Sequence, residues 1–115
     1  MRIDEYASGS HIRIAGKTYR QDLKIVNDEV KDDWWRKDGH RLDPRDIEDI
    51  LDARPKALVI GTGYAEGMRV PQTTMSAISA LGIRVIAEPT PKAVQTFNRL
   101  TKTGDTVAGA FHLTC

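Results

Sequence analysis

The order of strand and helix signals predicts an α/β layer fold. Three observations carry this reading. The apolar run Ala57-Leu58-Val59-Ile60 ends abruptly in a glycine-rich turn with Gly61, Gly63 and Gly67, the pattern of a buried strand running into a tight connection. Two proline-marked helix starts follow, at Pro71 and Thr90-Pro91, each leading on to a further strand signal. Upstream, the chain reads as short strands, turns and a single helix. Strand-helix-strand-helix-strand at this spacing implies right-handed crossovers wherever strands are parallel.

Met1 to Ser10 is polar and reads as an irregular entry segment. In His11 to Ile14, Ile12 and Ile14 alternate with His11 and Arg13, a strand pattern. Ala15-Gly16-Lys17 is a turn, and Thr18, Tyr19 and Arg20 begin the return, continued by Leu23, Ile25 and Val26. Asn27 to Asp33 is acidic and turn-like. Trp34-Trp35-Arg36 reads as extended, Lys37-Asp38-Gly39 as a hairpin turn and His40-Arg41-Leu42 as its return. Asp43 is a good N-cap and Pro44 suits the first helical position. Ile47, Ile50 and Leu51 then give one apolar face, and Arg54-Pro55 ends the helix. Past the glycine turn, Met75, Ile78 and Leu81 face the core and Gly82 stops the second helix. Ile83, Val85 and Ile86 form a strand. Ala93, Val94, Phe97 and Leu100 are the buried stripe of a third helix, closed by Gly104, and Thr106 to Leu113 is the final strand.

Bulk properties bound the function. A chain of 115 residues with 40% hydrophobic content supports one domain, 1–115, with a real core. Lys+Arg 17 against Asp+Glu 16, a net charge of +1, argues against a nucleic-acid binder driven by bulk charge. No apolar run approaches the ~18 residues of a membrane helix, and MRIDEYASGSH carries no signal-peptide core. A single cysteine, Cys115, excludes an intramolecular disulfide and fits a reducing, cytoplasmic setting.

The glycine turn is the first candidate site. Ligands of α/β proteins bind at strand ends, and turn amides near a helix start can hold an anion. Gly61, Thr62, Gly63 and Gly67 would supply backbone donors, Thr62, Gln72 and Thr73 side-chain donors, and Arg69 a charge. The nucleotide fingerprints do not fit. The third glycine of a G-x-G-x-x-G motif falls on Glu66, and Gly67-Met68-Arg69 lacks the Gly-Lys-Ser/Thr ending of a phosphate loop. The plainer account is a tight strand-to-helix connection that needs positive φ.

The second candidate is the aromatic segment. Extended, Trp34 and Trp35 point to opposite faces, so one packs inward and the other lies at the surface. The plainer account is a hairpin held by a Trp anchor and cross-strand polar pairs. Since Trp and Arg are enriched in interface hot spots, Trp34, Trp35, Arg36 and His40 are also the candidate interaction surface. His112 reads as a hydrogen-bonded core histidine. Nothing near Cys115 in sequence is recognised as an activating base. His11, His40 and His112 lack metal-ligand spacing, so neither metal nor cofactor is expected.

Trp35 to Leu42, Val59 to Gly63 and Ala110 to Cys115 resemble, in the same order, the small archaeal and bacterial domain family shared with the animal adipogenesis-associated protein. A mitochondrial complex I assembly factor is similar to the same family. The resemblance implies a compact three-layer α/β domain with a central mixed sheet, helices and an added N-terminal β layer. It also implies a non-enzymatic interaction or assembly module with a protein partner. Separately, a domain this small is compatible with a homodimer, through an exposed strand edge or the Trp-bearing surface. The alternative from the residues is a small-anion or small-ligand domain, or an enzyme of unrecognised class, with its site at Gly61–Gly67.

Overall fold

The computed structural model describes residues 1–115 and is a three-layer α/β domain built on a five-stranded mixed sheet. The strands are β1 (Ile3–Ala7), β2 (His11–Ile14), β3 (Lys17–Tyr19), β4 (Leu23–Val26), β5 (Glu29–Lys31), β6 (Ala57–Thr62), β7 (Arg84–Glu88) and β8 (Val107–His112). The helices are α1 (Glu48–Ala53), entered through a 3-10 turn at Pro44–Ile47, α2 (Gln72–Ser79) and α3 (Thr90–Thr101). The central sheet runs β5-β4-β8-β6-β7, and β1-β2-β3 form a separate antiparallel sheet. β6 pairs in parallel with both β7 and β8, whereas β4 meets β8 antiparallel, so the sheet is mixed.

Strand alternation divides the core. Leu58, Ile60, Ala108 and Ala110 face one side, packed with Trp34, Leu42, Ile50 and Ile78. Leu23, Ile25, Val59 and Phe111 face the other, under α3 and the β1-β2-β3 sheet, where they meet Phe97, Ile12 and Ile14. The Phe97 and Phe111 rings pack edge to face, 5.7 Å apart, a preferred aromatic geometry. β6 is buried along its whole length, because helices or the second sheet cover both faces of the central layer.

Three local expectations change. The polar entry segment is β1, paired with β2 through a register irregularity between Ile3 and Glu5; that break hides the two-residue alternation. Asn27-Asp28 is a hairpin turn joining β4 to β5, with both residues at positive φ. Trp34 to Leu42 is a loop, not a two-stranded hairpin. Its one internal pairing is an isolated bridge between Asp38 and Arg41. Other parts of the chain satisfy the loop: the Trp34 N–H donates to the Asp22 carbonyl at 2.8 Å and Trp34 Nε1 to the Asp46 carbonyl at 3.0 Å. His40 and Leu42 pair through their backbones with Arg69. No helix is long and apolar enough to cross a membrane.

Candidate functional site

The end of β8 carries the chemistry. β8 runs parallel to β6 as far as His112 opposite Thr62, and the chain then turns across the glycine connection. Thr90, at the start of α3, locks this corner. Its Oγ1 donates to the His112 carbonyl at 2.6 Å and accepts from the Gly63 N–H at 2.8 Å. The Ala65 and Gly67 N–H groups donate to the Cys115 carbonyl at 3.1 and 2.7 Å. A Cβ on Gly63 (φ 101°) would lie 2.3 Å from the Thr114 carbonyl oxygen, and one on Gly67 would lie 2.8 Å from that of Cys115. The glycines are therefore the bed on which Thr114 and Cys115 lie.

Held there, Cys115 Sγ stands 3.7 Å from His112 Nε2 and 3.7 Å from His40 Nε2. On its other side, His112 Nδ1 meets Asp22 Oδ2 at 2.7 Å. Asp22, between β3 and β4, also accepts from the Leu113 N–H at 2.8 Å and from Arg36 Nη2 at 2.9 Å. Arg36 Nη2 comes within 3.4 Å of His112 Nδ1. Asp22 Oδ2 is the acceptor there, so Nδ1 carries a hydrogen and the two nitrogens are neighbouring donors. The opposite nitrogen, Nε2, faces the thiol. Arg36 also donates to the Gly39 carbonyl through Nε and Nη2, at 3.1 and 2.8 Å, and stacks on Trp34 with its guanidinium carbon 4.7 Å from the ring centre. These contacts shape the Arg36–His40 loop and bring His40 to the thiol.

The electrostatics follow from these contacts. Burial works to raise the Asp22 carboxyl, but hydrogen bonds from His112, the Leu113 N–H and Arg36 outweigh it, and the net shift is downward. The Asp22 hydrogen bond raises His112 above its usual range, against a smaller opposing effect of burial. Hydrogen bonds from His112 first, then His40 and Thr114, lower the Cys115 thiol to about 7. A thiolate–imidazolium pair is therefore accessible near neutral pH, the state in which a cysteine is nucleophilic.

These groups line a cleft of about 260 Å³ that also includes Arg20, Gln21, Trp34 and Trp35. Of the predicted interaction set, Trp34 is buried, Trp35 is 77% exposed, the Arg36 side chain is buried, and His40 is exposed at the rim. All four line this cleft. Of the predicted ligand-binding set, Gly61, Thr62 and Gly63 are buried, and Thr62 Oγ1 donates to the Glu88 carbonyl at 3.2 Å. Arg69 is exposed, with its backbone paired to the His40 loop. Gln72 and Thr73 lie exposed on α2, where Gln72 reaches Ser76. None of these side chains lines the cleft. No group of three His, Cys, Asp or Glu side chains converges as a metal site.

Sequence reasoning did not find Asp22, His112 and Cys115 as a unit. Asp22 lies 90 residues from His112, and His40 75 residues from Cys115. The one local signal is His112 three residues before Cys115. On a continued strand that spacing puts the two side chains on opposite faces; they meet because β8 ends at His112 and the chain turns.

A family model described as a protein of unknown function (DUF498/DUF598) matches residues 3–112. The chain belongs to this family. Solved structures share its fold. The conserved hypothetical protein PH1505 from Pyrococcus horikoshii OT3 superposes with a TM-score of 0.85 at 23% identity, with all of both chains covered. A protein from Bartonella henselae described as an outer membrane protein gives 0.81 at 24% identity, covering 98% of this chain and 94% of that one. A Bordetella pertussis protein described as a Mth938-like domain gives 0.68 at 19% identity over 97% and 85% of the two chains. At these identities the likeness is one of fold.

Proposed function

We propose that the cleft is a nucleophilic-thiol site acting on a small electrophile. The observation that carries this is the position of Cys115 Sγ, 3.7 Å from two imidazole Nε2 atoms, one of them anchored by Asp22 at 2.7 Å. The roles follow the logic of nucleophile, base and orienting group. His112 Nε2 takes the thiol proton, and Asp22, held ionised, stabilises the imidazolium. Sγ then bonds to the electrophilic centre as the leaving group departs with its electron pair. A leaving group that needs a proton takes it from His112 Nε2. A lone cysteine used this way belongs in a reducing compartment, which supports a cytoplasmic setting.

The test is alkylation by iodoacetamide as a function of pH, with Cys115→Ser as the blank. The expected result is modification of Cys115 with a midpoint near pH 7. A slow reaction with its midpoint near that of an unperturbed thiol, 9.0, refutes the reading.

A second reading, an interaction or assembly module, is supported by Trp35, 77% exposed on the rim of the cleft. The resemblance to the adipogenesis-associated protein and the assembly factor points the same way. Its partner is a protein, with a second copy of this chain as one form. Trp35→Ala should weaken capture of a specific partner or shift the oligomeric state on gel filtration. Identical behaviour of variant and wild type in both measurements counts against it.

A further inference from the structure

The cleft's charge goes further than a reactive thiol requires. Asp22 has its acceptors filled by His112, Arg36 and the Leu113 N–H. Arg36 is not filled in the same way. Its side chain is 4% exposed, and its Nη1 is the one buried side-chain polar atom of the molecule with no hydrogen-bond partner. Buried donors are almost always satisfied, so an orphan of this kind calls for a missing acceptor. Arg20, exposed in the same cleft, is engaged in no salt bridge. Two guanidinium groups thus line a cavity whose one carboxylate side chain, Asp22, is already engaged, and a guanidinium matches an incoming carboxylate better than any other side chain does.

We infer that the cleft selects small electrophiles that carry a carboxylate, with Arg36 and Arg20 receiving the carboxylate while Cys115 attacks the neighbouring carbon. This rests on the nucleophilic-thiol reading and adds a substrate class to it. At about 260 Å³ the cleft has room for a small molecule beside the thiol.

Iodoacetate and iodoacetamide form a matched pair of probes, alike except for the charge. With either one, the Cys115 thiolate attacks the methylene carbon, the S–C bond forms, and the C–I bond breaks with iodide leaving on its electron pair. The proton displaced from the thiol stays on His112. Each rate is divided by that of a free small-molecule thiol under the same conditions. The normalised preference for iodoacetate over iodoacetamide should be about tenfold, the effect of one charge-assisted hydrogen bond. Arg36→Gln should abolish the preference. Arg20→Gln, at an exposed position, should reduce it about threefold and flatten its dependence on salt. Acetate, an unreactive carboxylate, should slow iodoacetate more than added chloride at equal ionic strength.

Fast iodoacetamide with no preference for iodoacetate overturns the carboxylate inference and leaves the thiol reading standing. A thiol no faster than the free reference toward both probes overturns the two together. If Arg36→Gln fails to fold, a preference undiminished in Arg20→Gln and insensitive to acetate is the result that overturns the inference.

Discussion

Replacing both imidazoles beside the thiol, in a His40→Asn/His112→Asn double variant, should return Cys115 close to ordinary acidity, leaving only the smaller Thr114 contact to lower it. The asparagine side chain put in place of His112 keeps an N–H for Asp22, so the buried carboxylate retains a partner. In the wild type, a thiol lowered to about 7 is about half thiolate at pH 7. At its ordinary value of 9.0, only ~1% is thiolate at that pH. The reactive fraction therefore falls ~50-fold, but the more basic thiolate is also the better nucleophile. A Brønsted coefficient of about 0.4–0.5 makes it ~6–10-fold faster over this rise. The alkylation rate at pH 7 should fall only ~5–8-fold, while the alkaline plateau climbs ~6–10-fold. The full pH–rate curve separates these opposed effects, where a single rate at neutral pH would understate the change. Direct ultraviolet titration of the thiolate checks the midpoint independently. His112→Asn alone should move it further than His40→Asn alone, since the His112 hydrogen bond is the larger cause. A midpoint that stays near 7 in the double variant refutes the reasoning, because the imidazoles would then not be what tunes the thiol.

Gly63→Ala should disturb both fold and thiol. Its Cβ would meet the Thr114 carbonyl oxygen at 2.3 Å, at φ 101°, so urea denaturation should register a loss of about 1–3 kcal/mol, with the Cys115 midpoint moving upward. Asp22→Asn leaves the Arg36 side chain, 4% exposed, without its counter-charge, and should cost about 3–5 kcal/mol. That cost has a pH window. Asp22 is lowered from 3.8, so its share is complete above that pH and is lost as pH falls through the lower folded value. His112 is raised from 6.5, so its share is complete below 6.5 and is lost as pH rises through the higher folded value. The wild-type advantage over Asp22→Asn in urea should therefore peak between these limits and shrink on both sides. Phe97→Ala empties a fully buried site against Phe111 and should cost about 3–5 kcal/mol by thermal or urea unfolding. Trp35→Ala, at an exposed position, should change stability by less than about 0.5 kcal/mol.

Much of the architecture is legible in the sequence because it rests on local patterns. Ala57–Thr62, Gln72–Ser79, Thr90–Thr101 and Val107–His112 each carry their own period and their own stop signals, so their type and order follow from the chain read in sequence. β1 and the Trp34–Leu42 loop depart from expectation for a related reason. The register break in β1 obscures its alternation, and the aromatic loop satisfies its backbone through the Asp22 carbonyl, the Asp46 carboxylate and the Arg69 backbone instead of across a turn. Asp-Gly at residues 38 and 39 does mark a tight turn, but two strands need partners along their length, and only Asp38 and Arg41 find one another.

The sequence by itself determined the α/β class, the strand-helix-strand-helix-strand order from β6 to β8, and the glycine turn as a tight connection after β6. What that turn passes close to was decided by the tertiary fold. The parallel β6–β8 pairing sets His112 level with Thr62, the glycines admit the backbone of Cys115, and Arg36 fastens the loop that delivers His40. Asp22, His40, His112 and Cys115 share no period and no motif, since each is held by a different element. Their chemistry depends on separations of 2.7 to 3.7 Å, distances that close only when the sheet, the turn and the loop have packed together.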